Sequence, residues 1–579
     1  MKRLPYTLVV LAAFGAACSS SDDAPSTMPS VASFGNNPSN TPGATTPLAG
    51  GDATPGANPG MPNTGNAAGE MGNGNLPLDM MPASTGTPPG LDPNVTATTL
   101  PRSTPEAQGL ASADILKLVN ALDANVQEIH SFMLLRHGQV VAEGFWSPYS
   151  VDDIQLLYSG SKSFNSTAVG MLSDAGMLSV DDLVLSKFPE LAPAQPDANM
   201  QKMTIKNLLT MATGHTTDTI DTLRKAANGE WTKAFLATAV PNAPGTNFLY
   251  NSGAAYMLGA IVQKISGQTV DEFLTPRLFE PLGIQRHLWG KSPEGVNLTD
   301  GGLSVRTEDF AKLGLLYLQH GNWDGQQLVS EQWVSDASSK EIANGNDNGN
   351  WSYGYGYQFW RSPIGFRADG ALGQYSFVMP DQDIVLAITS GTSNSGGTDN
   401  LMKIVFANVP PVQGAALPED ASSLQTLKDK LASLSLALPT GADSSAMAAQ
   451  VSGARYTVAS NAQGITALSF DFASATPTVT IEDGDGPHAI SVGIGSWARG
   501  RTGFRKHINE LYDTPDQGVA ARGAWSADDT FSARLVLTET PYTVITNFKF
   551  AGNQVSLDVA YNVRFDLTHL SEPQVVGTR

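Results

Sequence analysis

Cysteine is nearly absent from these 579 residues: there is one, Cys18. A disulfide framework and a cysteine-based metal site are therefore both excluded from the folded part. Basic residues are scarce as well, 34 Lys and Arg against 54 Asp and Glu, which gives a formal charge of -20 and a pI near 4.7. Such a surface has little with which to neutralise a phosphate backbone, so no nucleic-acid partner is expected. Long apolar runs are missing too. The run at residues 8–14 is too short to cross a membrane, and no other stretch approaches a span. No Gly-x-Ser-x-Gly elbow occurs, which leaves an α/β-hydrolase triad without a nucleophile. The eight histidines (His130, His137, His215, His287, His320, His488, His507 and His569) show no ligand spacing such as His-Glu-x-x-His and read as structural or surface residues. His215 is the one placed where it could line a cleft. Paired-carboxylate glycosidase chemistry is not excluded by spacing, but nothing favours it. What is present, 41% hydrophobic residues over this length, is enough for two or three domains with real cores.

The first residues carry Lys2 and Arg3, then the short apolar run, then Gly15, Ala16 and Ala17 ahead of Cys18. This is the layout of an export signal. Small residues before a cysteine, followed by Ser19, Ser20 and Ser21, resemble a bacterial lipoprotein signal, in which the cysteine is acylated and becomes the new N-terminus. Gly15 stands where a larger aliphatic residue is commoner, which keeps ordinary cleavage or an uncleaved anchor open as alternatives. Residues 1–18 are thus expected to be a signal peptide and Cys18 a lipidation site, tethering an exported protein to a membrane at the periplasm or cell surface.

Residues 19–98 are dominated by Ser, Thr, Pro, Gly, Asn and Ala and contain no Lys or Arg. This composition cannot bury enough apolar surface to offset chain entropy, so a disordered linker is expected. A flexible coil of about 80 residues spans on the order of 50 Å, long enough to hold a globular body off a lipid surface.

Globular patterning begins near Thr104. Helical spacing covers 111–122, a hairpin is expected over 131–146 with its turn at His137 and Gly138, and a long apolar helix over 159–175. Further helices are predicted at 205–211, 255–265 and 308–320, and strands at 353–361, 375–379 and 384–390. Strands at both ends enclosing helices suggest a mixed α/β (α+β) domain over 99–410 in which first and last strands share one sheet. A connector over 411–445 follows, with a helix at 422–435. From 446 to 579 alternating strands predict a separate all-β domain, a sandwich or barrel. Its expected strands are 455–459, 465–472, 478–482, 489–494, 531–537, 542–550 and 555–561, with turn signals such as Asp485-Gly486 and Gly552-Asn553.

One Ser-x-x-Lys occurs, Ser159-Gly160-Ser161-Lys162, at the start of the apolar helix. Three residues place Ser159 and Lys162 on one helix face. A neutral hydroxyl is a poor nucleophile and needs a base beside it, and a desolvated lysine can lose its proton near neutral pH. Taken alone, a four-residue pattern arises easily by chance, and the plain alternative is a helix cap followed by a surface lysine.

The run Leu157-Tyr158-Ser159-Gly160-Ser161-Lys162-Ser163-Phe164 is followed by Gly170, Asp181-Asp182 and the block at 203–214 containing Leu208-Leu209-Thr210-Met211. In this order the blocks resemble the serine β-lactamase and penicillin-binding superfamily, and most of all the broad class of class C β-lactamase-related hydrolases and esterases. Next comes Tyr250-Asn251-Ser252, similar to the family's Tyr-x-Asn with Ser252 in place of the final Asn. The family's third motif, Lys-Thr-Gly or His-x-Gly, is expected within 367–375. Aligned on Gly373, its cationic position is Ala371, with Leu372 between. The resemblance spans roughly residues 100–410. It implies a β-lactamase-like fold, an antiparallel sheet with a helical cluster, with no cofactor required.

It also implies acyl transfer. Ser159 is the nucleophile, Lys162 and Tyr250 handle the proton, and the backbone amides of Ser159 and Gln374 form the oxyanion hole. Ser252, Ala371, Leu372 and Gly373 line the substrate. Loss of the Asn amide and of the third-motif cation removes the grip on a substrate carboxylate, so a small ester or amide is the expected substrate. A β-lactamase or D-peptidase acting on cell-wall peptides is the alternative enzyme. A surface-anchored binding protein with a weakly active or inactive hydrolase fold is the alternative from another class.

Overall fold

The computed structural model describes residues 98–345, 349–505, 508, 516–565 and 570–579. The expected signal peptide, Cys18 and nearly all of the expected linker lie outside the described residues.

Six antiparallel strands form the central sheet, in the order Gln139–Phe145, Ile129–Arg136, Ile384–Ser390, Gln374–Met379, Phe366–Gly370, Trp360–Arg361. The N-terminal hairpin thus joins the last strands of the domain, with Phe132 opposite Ile388. Every residue of Ile129–Arg136 is buried, which a sheet covered on both faces requires. Alternation sorts the side chains. Phe132 and Leu134 join Tyr375, Phe377, Leu386 and Ile388 on one face, where Ile115, Leu118 and Leu122 of the helix Ser112–Asn125 pack with Leu401 and Val405 of Gly397–Ala407. On the other face Met133, Leu135, Val385 and Ala387 meet Ala311 and Leu315 of the helix Thr307–Leu318.

Beyond that second face lies the helical cluster. The helix Ser161–Asp174 is buried from Ser161 through Leu172, although its sequence is rich in Ser, Asn, Thr and Gly, poor helix formers. Burial rather than propensity holds it, and several of its polar side chains bond to carbonyls inside the protein. The Ser163 and Ser166 hydroxyls donate to the carbonyls of Gln358 and Tyr357, both at 2.8 Å, and the Asn165 amide donates to the Ala255 carbonyl at 3.1 Å. These bonds explain one departure from expectation. Residues 353–361 alternate aromatics like a strand, yet only Trp360–Arg361 is one. The preceding carbonyls are taken by the helix, and Gln358 adopts a left-handed φ of 63° that interrupts an extended run.

The C-terminal region forms its own eleven-stranded sheet, entirely antiparallel apart from the parallel pairing of Gly493–Ile494 with Gln517–Ala527. It curls toward a barrel. Three of its strands, Ala498–Thr502, Gln517–Ala527 and Val575–Thr578, were not expected, and the short helix Ala446–Val451 precedes it. Its strand ladder is separate from the central sheet, but its packing is not. One apolar core runs from Phe164 and Leu258 through Tyr158 to Tyr542, Val544 and Phe550.

Candidate active site

Ser159 lies in a 3-10 turn, Tyr158–Gly160, that leads directly into the helix Ser161–Asp174. The sequence pattern places it on the first turn of the helix itself; the chain instead tightens for three residues before the regular helix begins. Tyr158 has a φ of 46°, in the left-handed region that a bulky residue seldom occupies. Such a conformation costs about 1–2 kcal/mol and is retained only where the surroundings enforce it.

Lys162 is 1% exposed. Its Nζ donates to Ser159 Oγ at 2.9 Å and to the backbone carbonyl of Asp300, and lies 5.1 Å from the centre of the Tyr250 ring. Burial disfavours the ammonium and brings the amine down to about 8, against the opposing pull of the Asp300, Asp218 and Asp369 carboxylates. The Tyr250 hydroxyl is hydrogen-bonded to Ser159. Burial pushes this phenol well above its ordinary value, the Ser159 bond opposes the rise, and Asp369 adds to it. At neutral pH the tyrosine therefore stays a neutral phenol while a minor fraction of the lysine is a free amine. The structure brings Ser159, Lys162 and Tyr250 together around one hydroxyl.

Tyr250 is held from two sides. Its ring stacks on Trp360 at 5.8 Å, and Tyr355 meets it edge-on at 6.4 Å. Asn251 turns away from the cleft. Its Oδ1 caps the helix Ser252–Ser266 through the Ala254 amide at 3.2 Å and accepts from the Thr219 hydroxyl at 2.8 Å. Ser252 begins that helix partly exposed, and its backbone amide donates to Asp218 Oδ1 at 2.9 Å.

The third motif sits differently from its expected alignment. Gly370 ends the strand Phe366–Gly370 against the Ser159 turn: a Cβ there would stand 2.0 Å from the Leu157 carbonyl oxygen and 3.2 Å from the Gly160 nitrogen. Gly373 faces elsewhere. Its own Cβ would meet the Ser390 hydroxyl at 2.0 Å, and Ser390 Oγ donates to the Leu372 carbonyl at 2.9 Å. Close approach to the Ser-x-x-Lys turn thus picks out Ala368-Asp369-Gly370, and the cationic position moves from Ala371 to Ala368. It remains uncharged. Gln374 begins the next strand opposite Gly370, and its side-chain amide is spent on the Ser390 carbonyl at 2.6 Å. Leu372 is fully buried and Ala371 half-buried.

Sequence reasoning missed Asp369. Its Oδ2 accepts from Arg367 Nε at 2.8 Å and Trp351 Nε1 at 3.2 Å, and its charge acts on both Lys162 and Tyr250. Burial raises this carboxyl, the Arg367 guanidinium opposing. The Asp300 carbonyl was missed as well, because a backbone ligand leaves no mark on composition. His215 is buried against Phe235, its Nδ1 2.9 Å from Thr213 Oγ1, and burial lowers it to about 4.

The sequence profile of the Beta-lactamase family matches residues 122–405, the span that contains the Ser159 turn, Tyr250 and the strands through Ser390. Residues 122–405 form a beta-lactamase family domain. A 6-aminohexanoate-dimer hydrolase of Paenarthrobacter ureafaciens is 27% identical to the chain over 219 residues, 35% of this chain and 55% of that protein. A lovastatin esterase of Penicillium rubens is 28% identical over 168 residues, 25% of this chain and 42% of that protein. The chain spans about half the length of these two relatives. Among solved structures, a penicillin-binding protein homolog from Caulobacter crescentus aligns with a TM-score of 0.43 at 18% identity, covering 52% of this chain and 97% of that one. The beta-lactamase family domain therefore carries Ser159, Lys162 and Tyr250, whereas the eleven-stranded sheet lies beyond the matched span.

Proposed function

We propose that the protein is a serine hydrolase that cleaves a small ester or amide through an acyl-enzyme on Ser159. The observation that carries this reading is the buried amine of Lys162, lowered to about 8 and 2.9 Å from Ser159 Oγ, with the Tyr250 hydroxyl on the same oxygen. Ser159 Oγ attacks the carbonyl carbon, and its proton passes to neutral Lys162. Tyr250, kept protonated by burial, donates to the departing alkoxide or amine and recovers the proton through Lys162. Water then repeats the attack in reverse roles and frees Ser159. The oxyanion is held by backbone amides, that of Ser159 and one from the strand end beside it. Gly370 supports Ala371 as the second donor in preference to Gln374, because it is Gly370 that approaches the turn.

The substrate class follows from charge. Neither Ala368 nor Ala371 offers a cation, and a substrate carboxylate at the third motif would meet Asp369. That supports an uncharged ester or amide over a lactam or peptide held by its carboxylate. The relatives named hydrolase and esterase agree with this choice. We also propose that the chain is exported and anchored by lipid on Cys18, on the strength of its first 21 residues.

The test is labelling of the purified protein with a fluorescent serine-directed phosphonate beside Ser159→Ala, with p-nitrophenyl acetate and nitrocefin turnover followed in parallel. Labelling and ester turnover are expected in the wild type alone, with ester favoured over lactam. An unlabelled wild type would overturn the hydrolase reading in favour of a binding protein.

A further inference from the structure

The side chain of the strained Tyr158 reaches beyond the beta-lactamase family domain. The Tyr158 hydroxyl donates to the Tyr542 hydroxyl at 2.9 Å, both side chains being at most 1% exposed, and Phe565 packs on the Tyr158 ring at 5.3 Å. Tyr542 and Phe565 belong to the C-terminal region. Tyr542 closes the turn between the strands Thr530–Leu537 and Thr543–Ala551.

That turn is fastened to the strand Ile154–Leu156, which runs straight into the nucleophile. The Leu156 amide donates to the Glu539 carbonyl at 3.1 Å, and Gln155 Nε2 donates to the Thr538 carbonyl. Gln155 is itself fixed, its Oε1 lying 2.9 Å from His130 Nδ1. The Glu539 carboxylate bridges the two parts, 3.2 Å from Arg286 of the family domain and 3.0 Å from Arg501 of the sheet.

We propose that the C-terminal sheet is a positioning element for the nucleophile. Through Tyr542 it holds Tyr158 in its left-handed conformation and thereby aims Ser159 Oγ at Lys162 and Tyr250. Tyr542 touches neither substrate nor reacting atoms; it is a positioning residue acting through Tyr158. The inference rests on Ser159 being the nucleophile.

The test compares Tyr542→Phe, which removes one hydroxyl and keeps the ring, with Tyr456→Phe. The latter removes a buried hydroxyl that has no hydrogen-bond partner among the described residues and lies elsewhere in the same sheet. Three readouts are taken on the full chain: phosphonate labelling rate, kcat and KM for p-nitrophenyl acetate, and hydrogen exchange of the amides of residues 157–162. Loss of one buried hydrogen bond predicts a fall of about five- to tenfold in labelling rate and kcat for Tyr542→Phe, with KM held within about twofold. Exchange at 157–162 rises, and Tyr456→Phe changes none of the three. Labelling and kcat within about twofold of wild type, or an equal fall in Tyr456→Phe, overturns the proposal. An unlabelled wild type overturns the nucleophile and the inference together. A labelled wild type with an unaffected Tyr542→Phe overturns the inference alone.

Discussion

Lys162→Met should make the protein inactive and, at neutral pH, more stable. The amine falls from its ordinary 10.5 to about 8 because burial penalises the ammonium. At about 1.4 kcal/mol per pH unit, that difference amounts to about 3 kcal/mol against the folded state when the lysine is charged. The sign follows from proton counting. Below pH 8 both folded and unfolded chains carry the proton, and the whole penalty is present. Between about 8 and 10.5 the unfolded chain binds a proton that the folded chain does not, so wild-type stability rises with pH across that window. Methionine, of similar length and uncharged, carries no such penalty at any pH. It forfeits the bonds to Ser159 Oγ and the Asp300 carbonyl, about 1 kcal/mol each, which leaves a net gain of about 1 kcal/mol at pH 7. Urea unfolding of both proteins at pH 7, 8, 9 and 10 measures the difference. The variant's advantage should shrink by about 1.4 kcal/mol per unit above pH 8 and reverse before pH 10. Wild-type kcat/KM should rise over the same range to a plateau, with a midpoint near 8. A stability difference that stays flat from pH 7 to pH 10 would refute the depressed lysine and the base assigned to it.

Two further outcomes are expected. Gly370→Ala places a methyl 2.0 Å from the Leu157 carbonyl oxygen, so the strand must move off the Ser159 turn; kcat for p-nitrophenyl acetate should fall by about 10² while Gly414→Ala, in open space, changes nothing. Cys18→Ala should abolish incorporation of labelled palmitate in a bacterial host and release the protein from the membrane fraction on ultracentrifugation; retention of label in the variant would remove the lipoprotein assignment.

Half of the site was legible from local spacing: Ser159 and Lys162 stand three apart at the start of one helix. Tyr250, far along the chain, was legible only through the resemblance of Tyr250-Asn251-Ser252 to the family's second motif. The third motif was harder to read. Gly370 and Gly373 sit in one glycine-rich turn, and composition does not say which one faces the Ser159 turn; only the approach to the Leu157 carbonyl separates them. The strand Gln517–Ala527 was invisible for another reason. Its Gly, Ala and Arg content is poor in β-formers, and pairing along its whole length with Thr530–Leu537 and Ala498–Thr502 holds it extended. The connector helix expected at 422–435 is present at Ala421–Ala432, but its docking on Ser112–Asn125 was not legible.

The bridge at Glu539 also bears on how the chain can be divided. A protein ended at residue 410 would keep Ser159, Lys162 and Tyr250, yet it would strip the Leu156 amide of its Glu539 acceptor and the Gln155 side chain of its Thr538 acceptor, and remove the Glu539 carboxylate from Arg286. It would also bare the apolar ring of Tyr158, one residue before Ser159. The two halves are thus not interchangeable parts. If the Ser159 turn depends on the sheet as proposed, transplanting the beta-lactamase family domain onto another protein means carrying the sheet along.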